Sequence, residues 1–363
     1  MPKFHEVFGQ DAYDQSKEVV ANRKCAGCPF SGNRCDGGGN RHQTKIDLKK
    51  SGLEIFFSDE LDEVIPGICS IKSGDEIWIT CPRRLLAFPS NPAEVNEGLN
   101  DYQKEALIRA GVPTNIDIGV WTEVRLRYKD DDASIKYDFD FLFAPIKRNT
   151  TFNWLFSEYK IDDTKEINGI KIAAKAGGYF SGKFDKNKKQ RILPDLSNPI
   201  FIEVMTASTS GSDKKSRTDI ESAFADAIRN REHNCPGINK RQVLGRMHSQ
   251  IFAKSALAEN WNGKTVWLLQ DELIKYMEST TGLELSHVDD ATEETINILS
   301  MSYEGENKGI NALKLHSYSE SDAGISRNGS KSFTNILLPK KYPDKKILLK
   351  AVLRKKLSAI IRL

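Results

Sequence analysis

Residues 116–128 (IDIGVWTEVRLRY) and 134–145 (SIKYDFDFLFAP) alternate polar residues with β-branched and aromatic ones. This alternation is typical of half-buried β-strands, and the polar residues 129–132 between the two segments indicate a turn. The sequence therefore predicts a β-hairpin. Residues 199–206 (PIFIEVMT) form a short apolar run, which is typical of a fully buried strand.

Helices and one further strand are predicted around this hairpin. The expected helices are 100–111, 218–232, 240–260, 271–278 and an amphipathic C-terminal helix within 344–363, and the expected second buried strand is 265–270. Strands and helices in this order indicate an α/β core with a mixed sheet flanked by helices. The polar and basic segment 160–195 is interpreted as a loop or a small insertion.

The cysteines are crowded near the start of the chain. Five of the six lie between Cys25 and Cys81, and Cys235 stands alone. The sequence shows no secretory leader pattern and no apolar run long enough for a membrane helix, so we expect a cytoplasmic protein with reduced thiols and no membrane partner. Crowded thiols in that compartment indicate a bound metal rather than disulfides.

These features predict three regions. Residues 1–90 are expected to form a four-cysteine metal-binding subdomain, and residues 91–279 are expected to form the α/β core. Residues 280–363 are expected to pack on that core and to make DNA or dimer contacts. The 39% hydrophobic and 28% charged residues are those of an ordinary soluble protein.

Basic residues are clustered although the net charge is only +3. The clusters are residues 183–191, residues 214–217 and the last 24 residues. Each cluster alone is explained by an ordinary solvated face. Three clusters together favour a surface that follows phosphate groups.

Strand alternation places the two acidic residues of the central segment together. Asp138 and Asp140 are predicted on one face of the hairpin, and Tyr137, Phe139 and Phe141 are predicted on the other. The same face is thus expected to present two carboxylates.

Glu203 is an acidic residue inside the apolar run 199–206. A buried carboxylate is costly unless it is paired, hydrogen-bonded or bound to a cation. If Glu203 and Asp140 lie on neighbouring strands, their oxygens form a hard-ligand site suited to Mg²⁺. The alternative is that Glu203 pairs with a core arginine and that the aspartates only edge a sheet.

The order of these motifs resembles that of the NotI-type restriction endonucleases. The matching segments are Phe8-Gly9, Cys28-Pro29-Phe30, Cys35, Gly67-Ile68-Cys69, Cys81-Pro82-Arg83-Arg84, Phe139-Asp140 and Phe201-Ile202-Glu203-Val204-Met205-Thr206. Gly211-Ser212, Arg246, Gln250 and Lys254 also fit the pattern. The similarity extends thinly over residues 7–260, and the cysteine pattern is its most specific part.

The resemblance implies a PD-(D/E)xK nuclease fold with a structural iron held by four cysteines. In that interpretation the ligands are Cys28, Cys35, Cys69 and Cys81. Because Cys25-x-x-Cys28 is itself a metal-ligand spacing, a set in which Cys25 replaces Cys35 stays open. Thiolate ligands suit Zn²⁺ equally well.

The resemblance also implies a catalytic Mg²⁺ held by Asp140 and Glu203, with the carbonyl of Val204 as a third donor. Two alternatives concern the aspartate. Pro194-Asp195 also precedes Glu203, so Asp195 is a second candidate ligand. Glu123 on the preceding strand either joins the metal site or pairs with an arginine.

One catalytic position departs from the pattern. The second residue after Glu203 is Met205, where the wider fold class has lysine and the NotI type has glutamine. A thioether neither donates a proton nor positions water well. Gln250 is our first candidate for the missing function, followed by Arg246, Lys254 and Lys214. Met205 is alternatively a core residue.

The function that the resemblance implies is Mg²⁺-dependent hydrolysis of duplex DNA by a type II restriction endonuclease. A palindromic site cut in both strands implies a homodimer, and the family inclines towards GC-rich sites. The loop 206–218, with its hydroxyls and lysines, suits contacts to phosphates or base edges. The alternatives are a catalytically silent DNA-binding protein, which Met205 favours, and an iron protein that carries electrons.

Overall fold

The computed structural model describes residues 1–39, 45–89, 91–96, 99–131, 134–281, 286–287, 297–303, 313–319 and 338–363. Its strands are β1 Lys3–Val7, β2 Gln10–Asp11, β3 Ile46–Asp47, β4 Glu63–Val64, β5 Ile68–Ser73, β6 Glu76–Ile79, β7 Asn91–Asn96, β8 Ile118–Lys129, β9 Ser134–Thr151, β10 Lys189–Pro194, β11 Ile200–Val204, β12 Thr209–Ser210, β13 Gly237–Ile238, β14 Lys264–Gln270, β15 Ser286–His287, β16 Asn297–Tyr303, β17 Leu313–Ser319 and β18 Ala359–Ile361. Its α-helices are α1 Lys17–Lys24, α2 Leu48–Ser51, α3 Pro82–Leu85, α4 Asp101–Arg109, α5 Phe152–Glu158, α6 Thr164–Ala176, α7 Ile220–Ile228, α8 Lys240–Asn260, α9 Asp271–Thr280 and α10 Lys345–Leu353.

A large mixed sheet forms the centre of the fold. Its strand order is β15-β17-β16-β14-β11-β9-β8-β18-β7, and β10 pairs with the far half of β9. Strand β14 runs parallel to β11 and to β16, whereas β9 runs antiparallel to both β11 and β8. The predicted α/β class, with a mixed sheet flanked by helices, is confirmed.

The two faces of the sheet are buried against different elements. In β11, Ile200, Ile202 and Val204 pack with α4 and with residues of the segment 79–88. Phe201 points to the opposite face, where it packs with α5, α6, α10 and the C-terminal half of α8. Strand β11 is buried on both faces, as its continuous apolar sequence predicts.

The predicted hairpin is present as β8 and β9, which pair in antiparallel register from Ile118–Pro145 to Lys129–Ser134. Strand β9 continues to Thr151, beyond the predicted end at residue 145. The extension exists because β10 pairs with residues 146–151 and satisfies their backbone groups.

The interpretation of residues 160–195 as a loop is wrong, because the segment contains helix α6 and strand β10. Asp163 caps α6 by accepting hydrogen bonds from the backbone N–H groups of Lys165 and Glu166. Ile170 and Ala174 bury one face of this helix in the core. Because the other face of α6 carries lysines, the overall composition of the segment is polar, and only the spacing of its apolar residues indicates a helix.

The N-terminal region forms a second, smaller sheet in the order β2-β1-β5-β6. Its core also includes α7, where Phe224 lies 6.0 Å from the ring of Phe8. The hydrophobic core of residues 1–90 is therefore completed by a helix from the middle of the chain.

The C-terminal region contributes to the large sheet at both sides. Strands β16 and β17 extend it beyond β14, and β18 pairs with β8. The amphipathic pattern within 344–363 corresponds to α10, followed by β18. The rest of the polar region 280–335 lies outside the described residues, apart from residues 280–281 and strands β15, β16 and β17.

A buried ion pair joins the small sheet to the large one. Arg84 donates to the Glu6 carboxylate, with Nε–Oε2 at 3.1 Å, and both side chains are almost fully buried. The Tyr303 hydroxyl at the end of β16 donates to the same carboxylate at 2.6 Å. These contacts satisfy the buried charges, because each oxygen of Glu6 has a donor.

Among the helices described, none is long and apolar enough to cross a membrane.

Candidate active site and cysteine cluster

Asp140 and Glu203 lie at the same level on neighbouring strands. Strands β9 and β11 pair from Phe143–Ile200 to Phe141–Ile202, and the next positions along each strand are Asp140 and Glu203. There the ladder opens, and the Val204 N–H donates to Asp140 Oδ2 at 2.9 Å. A side chain thus takes the place of a backbone acceptor where the two strands separate.

Glu203 is paired with a lysine rather than with an arginine. Lys254 Nζ donates to Glu203 Oε2, and the two side chains are 4% and 1% exposed. The ammonium also lies 5.5 Å from the centroid of the Phe139 ring. The other oxygen, Oε1, has no hydrogen-bond partner of good geometry among the described residues. A buried carboxylate oxygen without a donor is costly, so this atom is available to a cation.

Helix α8 brings Lys254 to the sheet. Val243, Met247 and Ile251 define its buried face, and Lys254 continues that face one turn further on. Asn239 caps the start of the helix by accepting from the Gln242 N–H at 3.0 Å. A lysine on the apolar face of a helix is the signal that identifies this residue in the sequence, because lysine is almost never buried without a partner.

Burial controls the ionisation of both carboxyl groups. The pKa of Glu203 is raised to about 8, mainly because the carboxyl is removed from water and also because Asp140 lies nearby; Lys254 and the Asp140 backbone N–H oppose this shift. Burial also raises the pKa of Asp140, against the lowering effects of Lys254 and the Val204 N–H. Burial thus opposes ionisation of both carboxyl groups, and a bound cation would favour it.

We expect Glu203→Gln to flatten the dependence of stability on pH when divalent cations are absent. Because the pKa of Glu203 is raised from 4.5 to about 8, its contribution to the free energy of unfolding is complete below 4.5 and is lost as the pH rises through 8. Urea denaturation at several values between about pH 6 and about pH 9 measures this slope. Parallel curves for the two proteins would contradict the shifted pKa.

Glu123 faces the same opening from β8. The pairs Thr122–Phe141 and Val124–Phe139 leave Glu123 opposite Asp140. Its backbone has a φ of +50°, a conformation that costs a non-glycine residue roughly 1–3 kcal/mol. The exposed Glu123 carboxylate is close enough to raise the pKa of Asp140. The structure thus brings a third carboxylate to this end of the strands.

The predicted faces of β9 need a correction. Phe139 packs in the core with Phe201, whereas Phe141 packs against the core on the opposite face of the sheet. Phe139 and Phe141 therefore do not share a face, because the alternation of β9 changes phase at Asp140. In β8, Trp121 and Val124 both belong to the same core as Phe139, so the phase changes there as well, at the strained Glu123. This matched change keeps the two strands in register.

The other candidates for the water-positioning role lie elsewhere. Met205 is half-buried and packs in the apolar cluster that contains Met247 and residues of α9. This agrees with the alternative in which Met205 is a core residue. Gln250, our first candidate, is half-buried one turn before Lys254, and Arg246 is exposed a further turn away. Lys214 is exposed in the loop between β12 and α7. Among these candidates, Lys254 is the one that contacts Glu203.

Asp195 lies apart from Glu203. Its backbone N–H donates to the Pro145 carbonyl at 2.9 Å, five positions along β9 from Asp140. Its carboxylate pairs with Lys147 at 3.3 Å and accepts from the Ser197 hydroxyl at 2.8 Å. These local contacts give Asp195 a structural role in the turn between β10 and β11.

Cys28, Cys35, Cys69 and Cys81 pack together in one cluster. A tight turn brings the first two together, because the Cys28 N–H donates to Asn33 and the Cys35 N–H donates to Ala26. Cys69 lies on β5, and Cys81 follows the end of the neighbouring strand β6. The two are adjacent, because the Cys81 N–H donates to the Cys69 carbonyl at 3.2 Å.

The surroundings of the cluster include backbone N–H donors aimed at sulfur. The Gly9 N–H donates to Cys69 Sγ at 3.2 Å, and the Gly37 N–H donates to Cys35 Sγ at 3.5 Å. Burial raises the pKa of Cys35 to about 11 and that of Cys81 to about 12. Glycine is required at Gly38, where φ is +72° and a side chain would lie 2.8 Å from Cys81 Sγ.

Cys25 does not join this cluster. It is exposed and lines a surface hollow together with Lys24, Glu54 and Ile55. The structure therefore groups Cys35, and not Cys25, with the other three thiols.

Two sets of side chains have the donor chemistry for a metal. Four sulfur donors in one buried cluster suit iron or Zn²⁺. Two carboxylates on adjacent strands, one with an orphaned buried oxygen, suit Mg²⁺. The Val204 carbonyl adds a third oxygen, because the N–H and C=O of one strand residue point to the same neighbouring strand. However, among the described residues, no group of three or more His, Cys, Asp or Glu side chains is arranged closely enough to hold a metal ion in the present side-chain positions.

A scan against models of known protein families finds no match, and a search of curated proteins finds none either. The function is therefore inferred from the chemistry of Asp140, Glu203, Lys254 and the cysteine cluster.

Proposed function

We propose that this protein is a type II restriction endonuclease, which hydrolyses phosphodiester bonds of duplex DNA at a specific, GC-rich palindrome with the help of Mg²⁺. The observation that carries the proposal is the meeting of Asp140 and Glu203 with Lys254 where β9 and β11 separate. Two carboxylates and a lysine are the functional groups of a PD-(D/E)xK nuclease site. Here the lysine comes from a helix instead of from the catalytic strand.

Each side chain has a defined task in this reaction. Asp140, Glu203 and the Val204 carbonyl would hold Mg²⁺, which neutralises charge on the phosphate and lowers the pKa of water when it is bound. Lys254 would donate a hydrogen bond to the attacking water and would balance the charge that develops on phosphorus-bound oxygens. Water would add to phosphorus and release one proton to solvent, while the bond to the leaving sugar oxygen breaks and that oxygen takes up a proton from solvent.

The position of Lys254 favours an active enzyme over a silent DNA-binding protein. The silent alternative rested on Met205, which supplies no polar group. Lys254 supplies an ammonium group at the Glu203 carboxylate, where Met205 supplies none. The proposal further includes a homodimer, since a palindrome presents the same sequence to two copies related by a two-fold axis.

We propose a structural role for iron at the four cysteines, with Zn²⁺ as the alternative. The residues just before Cys81 make hydrogen bonds with the segment that follows the catalytic strand β11. The Ala207 N–H donates to the Ile79 carbonyl at 2.9 Å, and the Thr206 hydroxyl donates to the Thr80 carbonyl at 3.3 Å. Ordering of Cys81 would thereby order the loop that follows β11.

Digestion of unmethylated, sequence-diverse DNA tests the proposed function. We expect discrete fragments that require Mg²⁺, and we expect Glu203→Gln to lower the cleavage rate by about a hundredfold or more. Asp195→Asn is the matched control, because Asp195 is a carboxylate that the structure places away from the site. DNA that stays intact under all conditions, while binding persists without Mg²⁺, would instead support the silent protein.

A further inference from the structure

Two basic segments that are far apart in the sequence form one surface. Residues 167–191 contain seven cations and one acidic residue, and residues 345–363 contain seven cations and no acidic residue. Helices α6 and α10 pack directly against each other: a side chain at Gly169 would meet Lys350 at 2.4 Å, and one at Gly177 would meet the Leu353 carbonyl at 2.2 Å. The segment between α6 and β10 packs against α6, because Lys171 Nζ lies 5.6 Å from the Phe184 ring.

We name this the α6–α10 basic surface. Its cations are Lys171, Lys175, Lys183, Lys186, Lys188, Lys189, Lys350, Arg354, Lys355 and Lys356. All are exposed except Lys350 and Lys355, which are half-buried.

The charge of this surface is not balanced by the protein. None of its cations has a carboxylate within 4.0 Å among the described residues, whereas Lys346, which lies on α10 but outside this surface, pairs with Glu166 at 3.0 Å. Like charges at close range repel one another and raise the free energy of the folded state. Such a surface is stabilised by a bound polyanion, which releases its own counterions on binding.

We propose that the α6–α10 basic surface binds duplex DNA that flanks the cleavage site; this inference rests on the proposed function. Lys171 and Lys175 are one helical turn apart, so their side chains begin about 5–6 Å from each other and can follow successive phosphates. The surface consists of elements other than β9, β11 and α8, which carry the catalytic side chains. It packs on the same face of the sheet as the C-terminal half of α8.

A duplex longer than the catalytic footprint is the partner that fits. DNA carries one negative charge per about 1.7 Å of its axis, so DNA beyond the site offers a regular row of phosphates to a broad basic face. Contacts between lysines and phosphates carry no sequence information. The lysines of this surface, which lack carboxylate partners, are therefore suited to binding DNA of any sequence. The surface would hold the enzyme on non-specific DNA during its search for a site.

A fourfold variant tests this inference in the full-length protein. The changes are Lys171→Gln, Lys175→Gln, Arg354→Gln and Lys356→Gln, and the matched control is Lys17→Gln, Lys24→Gln, Lys49→Gln and Lys104→Gln. Fluorescence anisotropy without Mg²⁺ measures affinity for random duplexes of about 12 and about 60 base pairs. We expect the first variant to bind the long duplex at least about tenfold more weakly, with a salt slope reduced by about 0.9 per lost contact.

Equal losses in the two variants would overturn the inference, since net charge alone would then explain them. Equal loss of polyglutamate and DNA binding would also overturn it, because the surface would then serve an acidic protein. Mg²⁺-dependent cleavage separates this inference from the proposed function. If the wild type cleaves DNA and the surface variant binds normally, the inference fails alone; if the variant loses long-duplex binding but the wild type never cleaves, only the nuclease proposal fails.

Discussion

Lys254→Met is expected to lower the single-turnover rate constant of DNA cleavage by about 10²- to 10³-fold, as the loss of one preorganised charge stabiliser does in other enzymes. The methionine fills nearly the same volume between Phe139 and α8, so the loss reports on the ammonium group. Affinity for DNA without Mg²⁺ should change little, because Lys254 is 3% exposed. The measurement is quenched-flow cleavage with enzyme in excess over DNA.

Gln250→Ala is the matched control on the same helix. Gln250 lies one turn before Lys254 but is half-buried and does not contact Glu203, so we expect a change smaller than about tenfold. A large loss in Gln250→Ala combined with normal cleavage by Lys254→Met would give the water-positioning role to Gln250. A loss in both variants that follows weakened DNA affinity would point to binding instead of chemistry.

The stability of Lys254→Met gives an independent measurement of the buried pair. Removal of one partner from a buried ion pair leaves an uncompensated charge. Because burial raises the pKa of Glu203, this carboxyl can take up a proton instead. The destabilisation should therefore be small in acid and should grow as the pH rises through about 8.

Local sequence patterns were sufficient for the strands that carry the carboxylates. The alternation of residues 134–145 and the apolar run 199–206 predicted two strands, and Asp140 and Glu203 meet because those strands are neighbours. The same patterns failed at Phe141, because the phase change at Asp140 depends on the pairing of β8 with β9 and on the backbone of Glu123. Strand periodicity assumes a regular strand, and the site interrupts that regularity.

The partner of Glu203 could not be read from sequence spacing. Lys254 is 51 residues away, and its contact depends on how α8 lies across β11. Its place on the apolar face of α8 is visible in the sequence, although Gln250 was the first candidate for the role that Met205 leaves open. Helix α6 was missed for a related reason: lysines dominate the composition of residues 160–195, whereas its apolar face shows only in the spacing of Ile170 and Ala174.

Cys69→Ser is the variant with the largest expected effect on stability. Cys69 is the central member of the cluster: its carbonyl accepts from the N–H groups of Thr80 and Cys81, and its sulfur accepts from the Gly9 N–H. If the four thiols hold iron, the variant should lose the metal. The midpoint of thermal unfolding should then fall by about 10 °C or more, since a structural metal contributes several kcal/mol and 1 kcal/mol corresponds to about 2–4 °C in domains of moderate size.

Cys25→Ser distinguishes this explanation from a general effect of cysteine replacement. Cys25 is exposed and outside the cluster, so its variant should keep the metal and the unfolding temperature of the wild type. Elemental analysis and thermal unfolding are measured on both proteins, and the analysis also decides between iron and zinc. Loss of metal in Cys25→Ser with retention in Cys35→Ser would establish the other ligand set. Retention of the wild-type unfolding temperature in Cys69→Ser would mean that hydrophobic packing around Phe8 and Ile71, not a metal, holds the small sheet together.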